Sequence, residues 1–200
     1  MADIDTALAA SREAVQRLIE DAEATGSAWE TPCAPGKWSP SQIVEHVARS
    51  LEASAHLAAG EPSAFPRLPA IVHPLLRIVF RQILKRGAFP KGRTTKAMNP
   101  VRGSATPADG RARLDAAHDR YERACRDLAA NGAPMRTPMF GRVRIEDFVR
   151  FMELHTRHHH RQLRANVTVF DERGHPGETS HVRKADVRLL PLGDDRDHGD

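Results

Sequence analysis

His155 and His159 stand four residues apart in the run His155-Thr156-Arg157-His158-His159-His160. On a helix this spacing sets two imidazoles on neighbouring turns of one face, about 40° apart, where both can reach one ion. Both continue a stripe that begins with Phe148 and Met152, so the rings point toward a core rather than toward water. A polar ring buried there without a partner costs about 1–3 kcal/mol. A divalent metal is one partner that serves both rings. The competing reading is a solvated, histidine-rich patch, because Arg157 and Arg161 are interspersed with the histidines. A third histidine weighs against it. His46 flanks the stripe Ile43, Val47 and Ser50 of another helix, and facing helices can bring it to the pair. Three imidazoles with positions left open for water describe a catalytic site, not a closed structural one.

Other residues rank lower. His118 lies on the stripe of a third helix and is either a fourth contributor or a hydrogen-bonded core histidine. His56 and His73 are weaker candidates still, and Glu45 is expected to face solvent. His158 and His160 are expected to point away from the ion or to support its ligands. Gln162, one turn beyond His159, either supports the site by a hydrogen bond or is an amide that ends a buried face.

Four long helices must position these groups. Ile4, Leu8, Ser11, Val15, Leu18 and Ala22 form the first stripe, which fades at Thr25-Gly26. The second helix has the clearest start: Ser39 as cap, Pro40 at the first helical position and Gln42 closing a capping box. The third begins at Thr106-Pro107-Ala108-Asp109, carries Leu114, His118, Tyr121, Cys125 and Leu128, and ends at Asn131-Gly132. The fourth follows Pro138-Met139-Phe140-Gly141; beyond Met152 its stripe reads His155, His159, Gln162 (or Leu163) and Asn166. Strand signals are nearly absent. Residues 60–105 form a proline-punctuated insert with one short helix over 74–86, whose cations leave one face basic. The chain is therefore read as all-α, a four-helix bundle with a Pro-rich basic insert between its second and third long helices. Residues 1–170 are assigned to the bundle domain and 171–200 to a polar, flexible tail.

Composition narrows the function classes. The 200 residues carry 30 Lys and Arg against 26 Asp and Glu, a net charge of +4 that points to no nucleic-acid partner by itself. Only Phe80 and Phe89 interleave the cations from Arg77 to Lys96, too few rings for single-strand binding, so no nucleic acid is expected. Cys33 and Cys125 form no C-x-x-C pair and suggest no disulfide framework. The acidic start, Met1-Ala2-Asp3-Ile4-Asp5, is unlike a signal peptide, and residues 68–84 are too charged to span a bilayer. A cytoplasmic location without stable membrane insertion is the expectation. No nucleophile triad, phosphate loop or dinucleotide-binding glycine motif competes with the histidines.

Two segments also carry a resemblance. Trp38-Ser39-Pro40-Ser41-Gln42-Ile43-Val44-Glu45-His46 resembles the tryptophan–serine signature, followed after several residues by histidine, of the DinB/YfiT-like superfamily. Phe140-Gly141, followed by His155 through Leu163, resembles that family's final helix, which typically reads H-x-x-H-H-x-x-Q-L. The resemblance spans about residues 4–167 and leaves the tail outside. It implies an up-down-down-up four-helix bundle and a divalent metal held by His46, His155 and His159. Members include transferases and isomerases that use low-molecular-weight thiols. This chain departs from the pattern in offering Arg144-Ile145-Glu146-Asp147 after Phe-Gly, and in its long basic insert.

The expected function is that of a divalent-metal-dependent enzyme activating water or a small thiol, for hydrolysis or thiol transfer. The alternative is a non-catalytic metal-binding or interaction module with a structural ion. Zinc is the first choice of metal, with nickel, iron or manganese also compatible with three imidazoles. The expected partner is a small molecule, anionic or a thiol, approached through a cationic lid, and a homodimer is compatible with this reading.

Overall fold

A computed structural model describes residues 3–32, 34–89 and 98–173, with side chains as far as 164. Five α-helices account for most of it: α1 (Ile4–Glu23), α2 (Pro40–Ala58), α3 (His73–Arg86), α4 (Pro107–Ala130) and α5 (Ile145–Arg173). The expected all-helical class holds, and the tail assigned to 171–200 lies almost wholly outside the described residues.

Each start follows its local chemistry. Asp3 accepts from the Thr6 amide at 2.7 Å. Ser39 and Gln42 close the capping box, Gln42 Oε1 accepting from the Ser39 amide at 3.0 Å. Thr106 accepts from the Asp109 amide at 3.1 Å, with Pro107 at the first helical position. Such caps satisfy amides that have no partner within the helix, each contributing about 1 kcal/mol.

Stripes read from the sequence meet in one core. Leu8, Val15 and Leu18 of α1 join Ile43, Val47 and Leu51 of α2, Leu114, Ala117 and Tyr121 of α4, and Phe148, Met152 and Leu163 of α5. Helix α1 packs chiefly on α5 and also on α4, while α2 packs chiefly on α4; α2 and α5 touch over a shorter seam. That seam receives the histidines. Leu163, not Gln162, continues the buried face of α5, and Gln162 is exposed.

Two expectations are corrected. A short antiparallel hairpin, β1 (Met135–Thr137) with β2 (Gly141–Val143), precedes α5. Its turn uses Gly141 at φ +68°, where an added Cβ would also lie 3.0 Å from the Arg77 guanidinium. Helix α3 docks on this turn: Arg77 Nε donates to the Phe140 carbonyl at 2.7 Å, and His73 Nε2 to that of Pro138 at 3.2 Å. Glu45, expected in solvent, has a side chain only 13% exposed, because Arg49 (2.7 Å) and Arg113 of α4 (3.4 Å) enclose it.

His118 is fully buried between α1 and α4, with Nε2 3.2 Å from the Ser11 hydroxyl. Burial, reinforced by the Arg12 cation and opposed by Glu122 and Asp119, pushes it down to about 4. The unfolded ring titrates near 6.5, so the folded state takes up its proton only at lower pH. Its contribution to stability is complete above pH about 6.5 and is lost as pH falls toward about 4. In urea unfolding between these limits, His118→Gln should flatten the pH dependence by about 1.4 kcal/mol per pH unit, one proton's worth. An unchanged slope would mean the ring is already charged when folded.

Candidate metal centre

Helix α2 brings His46 to the seam two turns beyond its cap, and α5 brings His155 and His159 on successive turns. His46 and His159 are buried, while His155 is half-buried and marks the edge nearest solvent. The Nε2 atoms converge: His155 lies 3.3 Å from His46 and 3.1 Å from His159. Ligand nitrogens of all three lie within 4.8 Å of one another, a group that could hold a metal ion. Metal–nitrogen bonds of about 2.0–2.1 Å at tetrahedral angles set donor atoms about 3.3 Å apart, close to two of these separations.

Tautomers favour the same conclusion. His46 Nδ1 lies 2.7 Å from the Met98 carbonyl and His159 Nδ1 lies 2.9 Å from Gln162 Oε1. A carbonyl oxygen only accepts, and Gln162 turns its amide nitrogen to His158 Nε2 at 2.9 Å. Both Nδ1 atoms therefore carry protons, and both Nε2 lone pairs aim into the cluster. His155 Nδ1 is buried with no hydrogen-bond partner. Whichever nitrogen of His155 carries its proton, at most one proton is shared among three converging Nε2 atoms. A cation answers all of them, and a proton is a poor one here. Burial, reinforced by His46 and His158, pushes His155 down to about 3. Burial likewise lowers His46, against the Met98 bond, and takes His159 well below its ordinary value. The donor set fits a divalent ion of borderline softness.

Aromatic rings wall the cluster. Trp38, immediately before the α2 cap, sits 4.7 Å from the His46 ring centroid and 5.9 Å from that of His159. Phe89, just after α3, lies 5.5 Å from His155 and 6.0 Å from His158. Met98 and Asn99 complete the surround, Trp38 Nε1 donating to Asn99 Oδ1 at 3.2 Å. These neighbours were missed in the sequence, although Trp38 belongs to the tryptophan–serine motif. Phe89 and Met98 border the site, and of the cations expected to form a lid Arg77 turns to the Phe140 carbonyl while Lys91, Arg93 and Lys96 fall outside the described residues.

The remaining candidates are not part of the cluster. His118 bonds Ser11, His56 pairs with Glu61 at 2.6 Å, and His73 holds the hairpin. His160 turns to Asp21 of α1 at 2.7 Å. His158 does not join the cluster but keeps the Gln162 amide oriented. Gln162 thus supports the His159 ring and is no buried amide. Gln162→Ala should weaken metal affinity about 10- to 100-fold, the usual effect of removing a ligand's hydrogen-bond support, and competition against a chromophoric chelator measures it. An unaltered affinity would show that His159 keeps its tautomer unaided.

The described residues are mostly helical and bring three imidazoles to one seam, two of them buried with their Nε2 lone pairs directed inward. The model of the DinB superfamily matches residues 3–163, and the chain belongs to that superfamily. No curated protein and no solved structure matches the chain.

Proposed function

We propose that this protein is a divalent-metal-dependent enzyme whose ion is held by His46, His155 and His159 at the α2–α5 seam. In this reading α1, α2, α4 and α5 run up-down-down-up, as the family resemblance implies. The observation that carries the proposal is the pair of Nδ1–H donors, to Met98 and Gln162, which turn two Nε2 lone pairs onto the third imidazole. A divalent ion supplies acidity there, drawing the pKa of a water or thiol toward neutrality.

The chain's own residues do the remainder. Met98 and Gln162 hold the imidazoles as lone-pair donors, and burial keeps them neutral. Trp38 and Phe89 exclude bulk water from the sides, while half-buried His155 leaves an approach for a small substrate. An anionic substrate is proposed from the sequence alone, on the cations Lys91, Arg93 and Lys96 between Phe89 and Met98. Zinc is the proposed ion, and hydrolysis or transfer of a small thiol to an electrophile is the proposed chemistry.

The test is a screen of electrophiles with and without low-molecular-weight thiols, on protein purified without a nickel column and loaded with zinc. Turnover that chelator abolishes and zinc restores is the expected result. Unfolding of the chelated protein at room temperature, without turnover when loaded, would instead favour an ion that only ties α2 to α5.

A further inference from the structure

We propose that the outer face of α3, with the turn preceding it, docks this protein on an anionic lipid bilayer. Between Glu61 and Asp109 the chain contains nine cations and no acid, so the net charge of +4 leaves the remainder acidic. Among the described residues, all six exposed large hydrophobic residues fall in this same segment. Ile71 (87% exposed) of the preceding turn and Leu75 (64%) and Ile78 (56%) of α3 line one side, turned away from buried Phe80, and Val79 (39%) borders that side toward buried Ile83. The outward face continues into Gln82, Lys85 and Arg86, with Arg81 on its flank. Neither Arg81, Lys85 nor Arg86 pairs with a carboxylate among the described residues.

The sequence suggested only a basic face here. The structure adds an aliphatic one and turns Arg77 away from it, onto the Phe140 carbonyl. Water contact with four neighbouring aliphatic side chains is unfavourable, and contiguous patches of this kind mark interaction surfaces. Aliphatic residues beside unpaired cations match acyl chains beside anionic headgroups, the arrangement of a helix lying in the interface. No helix among the described residues is long and apolar enough to cross a membrane, so the contact is peripheral. A second copy fits this face less well, because a two-fold contact would set the same cations against one another. Nucleic acid would engage the arginines and leave the aliphatic face idle, since base stacking needs rings.

The test is flotation of the full-length chain with vesicles of phosphatidylglycerol and phosphatidylcholine, and with phosphatidylcholine alone, at low and high salt. Binding to the anionic vesicles only, weakened by salt, is expected. Replacing Arg81, Lys85 and Arg86 together by Gln should weaken it about a hundredfold, at about fivefold per cation. Leu75→Ser with Ile78→Ser should weaken it at least about tenfold. Both variants change exposed side chains and should keep the wild-type helical signal. Equal indifference to both vesicle types would overturn the proposal, and so would full binding by the serine variant, which would leave charge alone at work. Light scattering that shows a dimer dissolved by the serine substitutions would reassign the face to self-association. Binding that emerges only on removal of residues 174–200 would reassign it to the chain's own C-terminal segment.

Discussion

His159→Ala should abolish metal binding and leave the helical circular dichroism nearly intact. Its Nε2 lies 3.1 Å from that of His155, and its Nδ1 is the one Gln162 holds. The substitution removes one of three donors outright. The loss must therefore exceed the about 10- to 100-fold that follows when only a ligand's hydrogen-bond support is removed. Leu8, Val47, Leu114 and Phe148 belong to one continuous apolar core, so on the proposed catalytic reading the fold stands without the ion. The thermal midpoint should fall modestly, because truncating a buried ring leaves its neighbours less satisfied at about 1–3 kcal/mol. Chelator-treated wild type, melted alongside, should remain folded. A folded variant that still binds one ion per chain would remove His159 from the ligand set.

Gly103→Ala should damage the site from a distance. Residues 98–104 form a strap over the start of α2. The Met98 carbonyl holds His46, Asn99 holds Trp38, and Gln42 Nε2 donates to the Pro100 and Val101 carbonyls at 3.3 and 3.2 Å. Trp29 Nε1 donates to the Ser104 carbonyl at 2.7 Å. A Cβ on Gly103 would fall 2.3 Å from both the carbonyl carbon and the oxygen of Ser41. Backbone cannot yield as a side-chain tip can, so the strap must lift. Overpacking of this kind costs about 1–3 kcal/mol. His46 then loses the acceptor that fixes its tautomer, and metal affinity should drop about 10- to 100-fold with it. Chelator competition and urea unfolding on the same variant read both effects. Wild-type affinity in a destabilised variant would uncouple the strap from His46.

Much of this was legible in the chain because it depends on local rules. Ser39 with Gln42 and Thr106 with Pro107 mark helix starts by chemistry that needs no tertiary context. His155 and His159 share a face because the helix repeat requires it. What escaped depended on distant partners. Met98 lies in an irregular segment whose carbonyl direction no periodicity encodes, and Phe89 follows a helix whose docking is set by the hairpin. The hairpin alternates Met135-Arg136-Thr137 and Gly141-Arg142-Val143, a period of two too brief to stand out beside four long helices. Glu45 was misread because Arg113, its enclosing partner on α4, is distant in sequence.

X-ray absorption at the metal edge of zinc-loaded protein tests the central claim most directly. Three imidazole nitrogens at about 2.0–2.1 Å, with the remaining positions filled by oxygen, is the predicted environment. It should lose one imidazole, or the metal altogether, in His159→Ala. A sulfur neighbour, or a shell with no more than one imidazole, would contradict the assignment of His46, His155 and His159 as the ligands.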